Sequence, residues 1–213
     1  MSSGHRKVKE AVEVYEELHK TVDTWISKIG ANNLGTPTCL QGCAHCCREI
    51  VMMTLPEALY IIYTRITSIR SLKTLEEKVQ KQLWKIKDRG ILTAEQWWDY
   101  ELDCVFLSED KRCKIYASRP VVCRALIVFD PSTVCSSQFK TPRKALDSSS
   151  VINLDTGVAR ECARDLRIPA HPLPLPLAMN LAIYCAANGL YKLRDFVRNG
   201  SAYKDAHEPT KID

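Results

Sequence analysis

The sequence lacks the features of a membrane-bound or exported protein. No stretch reaches the roughly 18 consecutive apolar residues that a membrane-spanning helix needs. The N-terminus, MSSGHRKVKE, has no apolar run of the signal-peptide type. These absences predict a location in the reducing cytoplasm and no membrane partner.

The sequence also gives little support for nucleic-acid binding or for the common enzyme motifs. The net charge of +5 over 213 residues is modest, whereas nucleic-acid-binding domains usually show clustered Lys and Arg and a higher isoelectric point. Nucleic acid is therefore not expected as a partner, while a weakly bound acidic protein partner stays open. The chain has only 8 glycines, and it contains no Gly-rich phosphate loop, no internal repeat and no convincing Ser–His–Asp order.

What the chain has in quantity is cysteine, with ten residues. In a cytoplasmic protein, metal ligation or redox chemistry explains such a number better than disulfides do. A single cysteine is often only a small buried hydrophobic residue. That explanation suffices for Cys185, in the apolar run LAIYCAANG, and for Cys162. It does not explain four cysteines within the nine residues 39–47.

The segment CLQGCAHCC (39–47) has the spacing of a metal-binding run. Thiolates are the preferred ligands of zinc and of iron–sulfur clusters, and gaps of two or three residues allow one turn of chain to present several sulfurs. On a helix, Cys39, Cys43 and Cys46 would lie within about 60° of one another around the axis. Gly42 makes a tight loop at least as good an explanation, because it allows the backbone to fold close to a metal.

The adjacent pair Cys46 and Cys47 complicates a single-ion site. Neighbouring side chains diverge in a helix and in a strand, so both are not expected to ligate the same single ion. One of them would then serve a second ion or bridge within a cluster. His45 has three open interpretations: a ligand, a hydrogen-bond donor to a sulfur, or a polar loop residue.

Four more cysteines follow at wide intervals: Cys104, Cys113, Cys123 and Cys135. These intervals suit turns that each return one sulfur to a common point. Arg119 and Arg124 lie in the same stretch. Either they offset the negative charge of several thiolates, as guanidinium groups do well, or they are surface charges.

The combined pattern resembles the YkgJ-type cysteine-cluster family, described as a zinc- or iron-chelating domain. The resemblance is carried by CLQGCAHCC, by TLPEAL (54–59), by CVFL (104–107), by CKIYASRPVVCR (113–124) and by FDPSTVC, which ends at Cys135. It implies metal chelation by eight cysteines: Cys39, Cys43, Cys46, Cys47, Cys104, Cys113, Cys123 and Cys135. A related cluster in flagellin lysine N-methylases, which resemble iron–sulfur proteins, suggests a distant relation. Val105 stands where the family often has Pro.

Three functions compete. The favoured one is a metal-binding protein with a multi-cysteine iron–sulfur site, or alternatively a zinc site, in a structural or redox role. The second is an enzyme that modifies a protein side chain, for instance a methyltransferase, and the sequence does not decide whether the chain is an enzyme. The third is a metal-stabilised protein-interaction module. Radical enzymes share the C-x3-C-x2-C spacing, but the chain lacks the alternating strands and helices of their barrel.

Helix signals predict a mainly α fold: a small helical domain with cysteine-rich loops around a metal centre. The chain is expected to be one domain (1–213), with a cysteine-cluster metal-binding region (39–135) and a C-terminal extension of unknown role (136–213). Apolar spacing and capping pairs at Thr54/Glu57, Thr74/Glu77 and Thr93/Gln96 predict the helices. Their expected ranges are 5–29, 54–69, 74–89, a helix from 93, 155–166 and 176–188.

Overall fold

The computed structural model describes residues 3–30, 37–39, 42–86, 93–100, 102–135 and 145–198, which form a mainly helical fold. One two-stranded antiparallel sheet within these ranges pairs β1 (Met52–Met53) with β2 (Leu173–Pro174). The helices are α1 (Ser3–Gly30), α2 (Leu55–Arg65), α3 (Ile69–Ile86), α4 (Ala94–Asp99), α5 (Val121–Ala125), α6 (Ser132–Cys135), α7 (Ser149–Leu166), α8 (Leu175–Asn188) and α9 (Leu190–Arg198). The prediction of a mainly α fold is confirmed.

Helix α1 shows how the apolar pattern places an element in the core. Val8, Tyr15, Leu18 and Val22 recur at helical spacing and are all buried. Helix α8 is buried more completely and packs against α2, α3 and α9. The main core contains residues of α1, α2, α3, α5, α7, α8 and α9. The division into a metal-binding region (39–135) and a C-terminal extension (136–213) stays a prediction.

Capping chemistry decides where the helices begin. At α4 the predicted capping box is confirmed, because Thr93 and Gln96 exchange hydrogen bonds of 3.2 and 2.9 Å. The predicted start of α3 at Thr74 is wrong. The helix begins at Ile69, because Ser68 and Ser71 form the same reciprocal side-chain to backbone bonds (3.1 and 3.2 Å) earlier in the chain.

Two more helix predictions need correction. Helix α2 ends at Arg65 rather than at residue 69. The described part of α3 extends to Ile86, and its predicted stop at 89–90 lies outside the described residues and stays a prediction. Helix α7 begins at Ser149 rather than at residue 155, and the Asp147 carboxylate accepts a 3.0 Å hydrogen bond from the Ser149 N–H there. Residues 136–144, which precede this part of the chain, lie outside the described residues.

The C-terminal helices are partly as expected. The proline-rich stretch before α8 is extended and supplies β2, and α8 then begins one residue before Pro176. Helix α9 was not predicted. Within the ranges that the structure describes, each helix is too short or too polar to span a bilayer.

Trp97 and Trp98 of α4 lie in two different environments, because adjacent side chains on a helix point about 100° apart. Trp97 packs with Leu102 in a small second core. Trp98 lies under the guanidinium of Arg48, whose central carbon is 4.8 Å from the ring centroid. Both rings are therefore buried without sharing one pocket.

Candidate metal centre

One partly open cavity brings together cysteines that are far apart in sequence. Its volume is about 80 Å³, well below the roughly 300–1,000 Å³ of pockets for organic ligands. The cysteines that line it are Cys43, Cys46, Cys47, Cys104, Cys113 and Cys123. Its size and its sulfur lining suit metal ions or a small cluster rather than an organic substrate.

The first cysteine segment enters the cavity as a tight loop. Gly42 has a φ of +96°, a conformation that glycine adopts without strain. The chain then forms a short 3₁₀ helix, His45–Arg48, in which the Cys47 N–H donates to the Ala44 carbonyl at 3.0 Å. The loop alternative is therefore the one that the structure adopts between Gly42 and Cys46.

The second segment reaches the cavity through backbone pairing. The Cys104 N–H donates to the Cys47 carbonyl at 2.7 Å, which places residues 104–107 beside the 3₁₀ helix. The chain then turns, and the Lys114 N–H donates to the Phe106 carbonyl at 2.9 Å. This hairpin-like turn returns Cys113 to the same cavity as Cys104.

The third segment is held by a buried carboxylate. Oε1 of Glu57 accepts a 2.7 Å hydrogen bond from the Val121 N–H, the first residue of α5, which carries Cys123. Glu57 has 0% exposure. Its spacing from Thr54 predicts a capping box, and the Thr54 hydroxyl does accept from the Glu57 N–H, at 3.4 Å. The carboxylate, however, caps α5 instead.

Arg124 anchors the same short helix on its other side. Its guanidinium donates to Oδ1 of Asp23 at 2.5 Å and to the Ala117 carbonyl at 2.6 Å. It lies outside the cavity lining. Arg124 is only 4% exposed, so the alternative that it is a surface charge is wrong, and its guanidinium binds Asp23 of α1, a carboxylate that sequence spacing does not reveal.

Arg119 does face the thiols. It lines the cavity, and its guanidinium carbon lies 4.2 Å from the ring centroid of Tyr116. Its charge acts to lower the pKa of Cys46 and of Cys113. This agrees with the predicted role of an arginine beside a thiolate site.

Raised pKa values favour the protonated form of five cavity thiols in the absence of a cation: Cys43, Cys46, Cys104, Cys113 and Cys123. Burial raises the pKa of Cys104 to about 12 and raises the pKa of Cys123 and Cys113. The hydrogen bond with the Cys47 thiol, followed by burial, raises the pKa of Cys46. Neutral sulfurs in this setting can approach one another, whereas several thiolates there would need a compensating cation.

The cavity fits a metal in its donor set and location. Within the described ranges, no three His, Cys, Asp or Glu side chains already stand in the geometry of a formed metal site. Protonated thiols make hydrogen bonds to one another and to the backbone, whereas thiolates turn toward a shared cation. Loss of these protons and reorientation of the sulfurs would therefore accompany binding.

The structure brings Cys46 and Cys47 together, contrary to the sequence interpretation. Both line the cavity, and their thiols are hydrogen-bonded to each other. The expected divergence does not occur in the short 3₁₀ helix. His45 lines an open groove that adjoins Cys43, outside the cysteine cavity.

Two of the eight predicted ligands lie outside the cavity lining. Cys39 is exposed, and its sulfur accepts a 3.3 Å hydrogen bond from the Val128 N–H. Cys135 is half-buried at the end of α6, a helix that packs against the 3₁₀ helix His45–Arg48. The predicted convergence therefore includes Cys43, Cys46, Cys104, Cys113 and Cys123 but leaves Cys39 at the periphery.

The two remaining cysteines are core residues. Cys162 in α7 and Cys185 in α8 are buried and belong to the main hydrophobic core. All ten cysteines lie in described residues, and none of them is in a disulfide. The disulfide alternative therefore has no support in the structure.

Comparison with known proteins agrees with this location. Residues 38–142 match the family model CxxCxxCC, whose description is "Putative zinc- or iron-chelating domain". The comparisons with curated proteins and with solved structures each give no match, so the distant relation to flagellin lysine N-methylases finds no support there. Residues 38–142, which contain all eight cysteines of the predicted ligand set, therefore form a domain of the YkgJ-type cysteine-cluster family.

Proposed function

We propose that this protein holds an iron–sulfur cluster, in a structural or redox role, in the cavity between the 3₁₀ helix His45–Arg48, residues 104–113 and α5. The observation that carries the proposal is the lining of one small cavity by six cysteines from three separate segments. An unfilled cavity lowers the stability of a packed core, because the residues that line it lose van der Waals contacts. Packing alone therefore does not explain why six cysteines line one.

The number of sulfurs favours a polynuclear centre. A single tetrahedral ion takes four ligands, and the cavity already offers six thiols. One iron–sulfur cluster is likewise held by four thiolates, so the six cavity thiols together with Cys39 and Cys135 exceed the need of one centre and leave four ligands for a second. Two zinc ions that share bridging thiolates are the alternative use of the same set.

Cys39 and Cys135, which lie outside the cavity lining, complete the proposed ligand set. Cys43 and Cys39 are near enough for the charge of one to raise the pKa of the other. Helix α6 brings Cys135 toward the segment of Cys46 and Cys47. Both are proposed as peripheral ligands that join the six cavity thiols. Free thiols in this number suit a reducing compartment, and the cytoplasm is the proposed location.

The test is anaerobic purification followed by iron, zinc and acid-labile sulfide analysis. We expect a brown protein that absorbs at about 400 nm and contains iron and sulfide. Colourless protein with stoichiometric zinc would replace the cluster by the zinc alternative. The double variant Cys104→Ser/Cys123→Ser should lose the metal, and the matched variant Cys162→Ser/Cys185→Ser should keep it. Equal metal content in both variants would overturn the proposal.

A further inference from the structure

A basic trough runs along one side of α3. Ser71, Thr74, Lys78, Lys81 and Lys85 recur every three or four residues and so form one stripe on the helix. Two contiguous grooves of about 400 and 250 Å³ follow the stripe and share Lys78 and Val105. Their opposite wall consists of residues 102–107 and 114–115. We call these two grooves together the basic trough.

The charged residues of the basic trough are almost all of one sign. The cations that line it are Arg65, Arg70, Lys78, Lys81, Lys85 and Lys114. Among the described residues that line it, Asp103 is the one carboxylate. That carboxylate already pairs with Arg48 and Lys111, each at 3.5 Å. An anionic partner would therefore meet six cations with little competition from the trough itself.

The floor of the basic trough is apolar. Ile66, Leu75, Val105, Phe106 and Ile115 line the larger groove beneath its cations. An amphipathic ligand is complementary to this arrangement, because its apolar side chains reach the floor while its carboxylates face the rim. Inorganic anions or sugar phosphates would leave the apolar floor without a partner.

Parts of the basic trough are held in place before any ligand binds. Nε of Arg65 donates a 2.5 Å hydrogen bond to the Ser118 hydroxyl, which fixes one cation at the end of the larger groove. The amide of Gln82 donates to the Asp103 carbonyl and so ties α3 to the opposite wall. Preorganised groups reduce the entropy that binding costs.

The basic trough shares a wall with the cysteine cavity. Phe106 and Ile115 line both the larger groove and the cavity, and Cys104 lines both the smaller groove and the cavity. A ligand in the basic trough would thus lie on the far side of the residues that carry the sulfur of Cys104. Through these shared residues, a ligand in the basic trough can affect metal binding in the cavity, and metal binding can affect the ligand.

We propose that the basic trough binds an acidic, amphipathic segment of a partner protein. The stripe from Ser71 to Lys85 extends about 21 Å at 1.5 Å per residue, which corresponds to about six residues of extended peptide. Single-stranded nucleic acid fits less well, because it requires exposed aromatic rings for base stacking. Phe106 is the one aromatic residue among the described residues of the lining, whereas stacking along a strand uses several rings. The inference does not depend on which metal the cavity holds.

The test uses a fluorescein-labelled peptide of alternating Glu and Leu, about 12 residues long, so that it spans the trough with several residues to spare. Its binding to the full-length, metal-loaded protein is followed by fluorescence anisotropy. We expect Lys78→Glu/Lys81→Glu to weaken binding by about tenfold or more. The control Lys73→Glu/Lys192→Glu changes the net charge equally. Lys73 lies about 120° from the stripe on the same helix, and the control should change affinity by less than about twofold.

Three results would overturn the proposal: no binding of the Glu–Leu peptide to the unsubstituted protein, equal loss of binding in both double variants, or tighter binding of another anionic probe. The other probes are a single-stranded thymidine oligonucleotide and vesicles that contain phosphatidylserine. Circular dichroism of each variant verifies that the helices remain folded, so that a loss of affinity reports on the trough. A peptide of alternating Lys and Leu should not bind.

Discussion

The backbone N–H of Cys104 donates a 2.7 Å hydrogen bond to the carbonyl oxygen of Cys47. This bond joins two cysteine segments that are separated along the chain by α2, α3 and α4. One backbone hydrogen bond contributes only about 1 kcal/mol net, whereas closing a long connection has an entropic cost of several times that size. A metal shared by the two segments would supply the missing free energy.

Metal removal should therefore destabilise the whole fold. Thiolate-bound structural metals can contribute about 10 kcal/mol or more to folding, and about 1 kcal/mol corresponds to roughly 2–4 °C in a domain of this size. We expect chelation to lower the melting temperature by at least about 10 °C, and we expect re-addition of metal to restore it. Calorimetry of the metal-loaded and chelated protein measures the difference. Identical melting temperatures would contradict the coupling.

The cysteines should divide into essential and dispensable groups. Cys123→Ser and Cys113→Ser should lose metal, because an oxygen ligand is a poor substitute at a soft thiolate site. Cys162→Ser and Cys185→Ser should keep full metal content, at a stability cost of about 1 kcal/mol, since both side chains lie in the helical core. Metal per chain, measured for each variant, gives the comparison.

Metal content per chain also tests the two peripheral cysteines, Cys39 and Cys135. Cys135→Ser and Cys39→Ser should each reduce metal content only in part, because neither residue lines the cavity. If Cys162→Ser emptied the site while Cys135→Ser left it full, the eighth ligand would be assigned to the wrong cysteine.

Local signals in the sequence predict local structure well. The apolar spacing of Val8, Tyr15 and Val22 predicts α1, and the Thr93/Gln96 pair predicts the start of α4. The clustered cysteines identify the region that forms the cavity. These predictions succeed because they depend on residues within one or two turns of each other.

Local sequence signals do not predict contacts between residues that are far apart in the sequence. Glu57 has the spacing of a capping box, yet its carboxylate binds the Val121 N–H, 64 positions away. Arg124 adjoins Cys123 in sequence but bonds to Asp23 of α1. One signal was available for Glu57: it is the single charged residue within the apolar stretch TLPEALYII. Buried charges of this kind need a partner, but the sequence does not name it.

Metal binding should release one proton for each thiol that becomes a ligand. Burial raises the pKa of Cys104 to about 12 and raises that of Cys123 and Cys113, so these thiols are protonated at neutral pH. A cation must displace those protons, and metal affinity should therefore increase as the pH rises.

Zinc titration calorimetry of the reduced, metal-free protein measures this release. Measurements in two buffers of different ionisation enthalpy at one pH should give about four protons. Between pH 7 and 9.5 the number should stay nearly constant, because buried thiols remain protonated there. Exposed thiols, with an ordinary pKa of about 8.5, would release far fewer protons at the upper end. Such a decrease would contradict a buried ligand set.

Two buried acids, Glu57 and Asp155, should make stability depend on pH. Burial raises the pKa of Glu57 from 4.5 to about 7, and burial together with the charge of Glu57 raises the pKa of Asp155 from 3.8 to about 7. A raised carboxyl pKa favours the protonated native state. The resulting stabilisation is complete below the unfolded-state pKa and is lost as the pH rises through about 7. His19 acts in the opposite direction, because burial lowers its pKa to about 4, and its contribution is lost as the pH falls below 6.5.

The variant Glu57→Gln separates these contributions. The side-chain carbonyl oxygen that this substitution introduces can still accept the hydrogen bond from the Val121 N–H, but the new amide does not ionise. We expect the stability of E57Q relative to the unsubstituted protein to rise by about 2 kcal/mol between pH 5 and pH 8, since one pKa unit corresponds to about 1.4 kcal/mol. The control Glu13→Gln removes a carboxylate that pairs with Lys9 on the surface. Its stability difference should change by less than about 0.5 kcal/mol over the same range. Urea unfolding at each pH provides the free energies. An E57Q difference that stayed constant from pH 5 to pH 8 would show that Glu57 is ionised throughout, with its charge balanced by Arg124 rather than suppressed by burial.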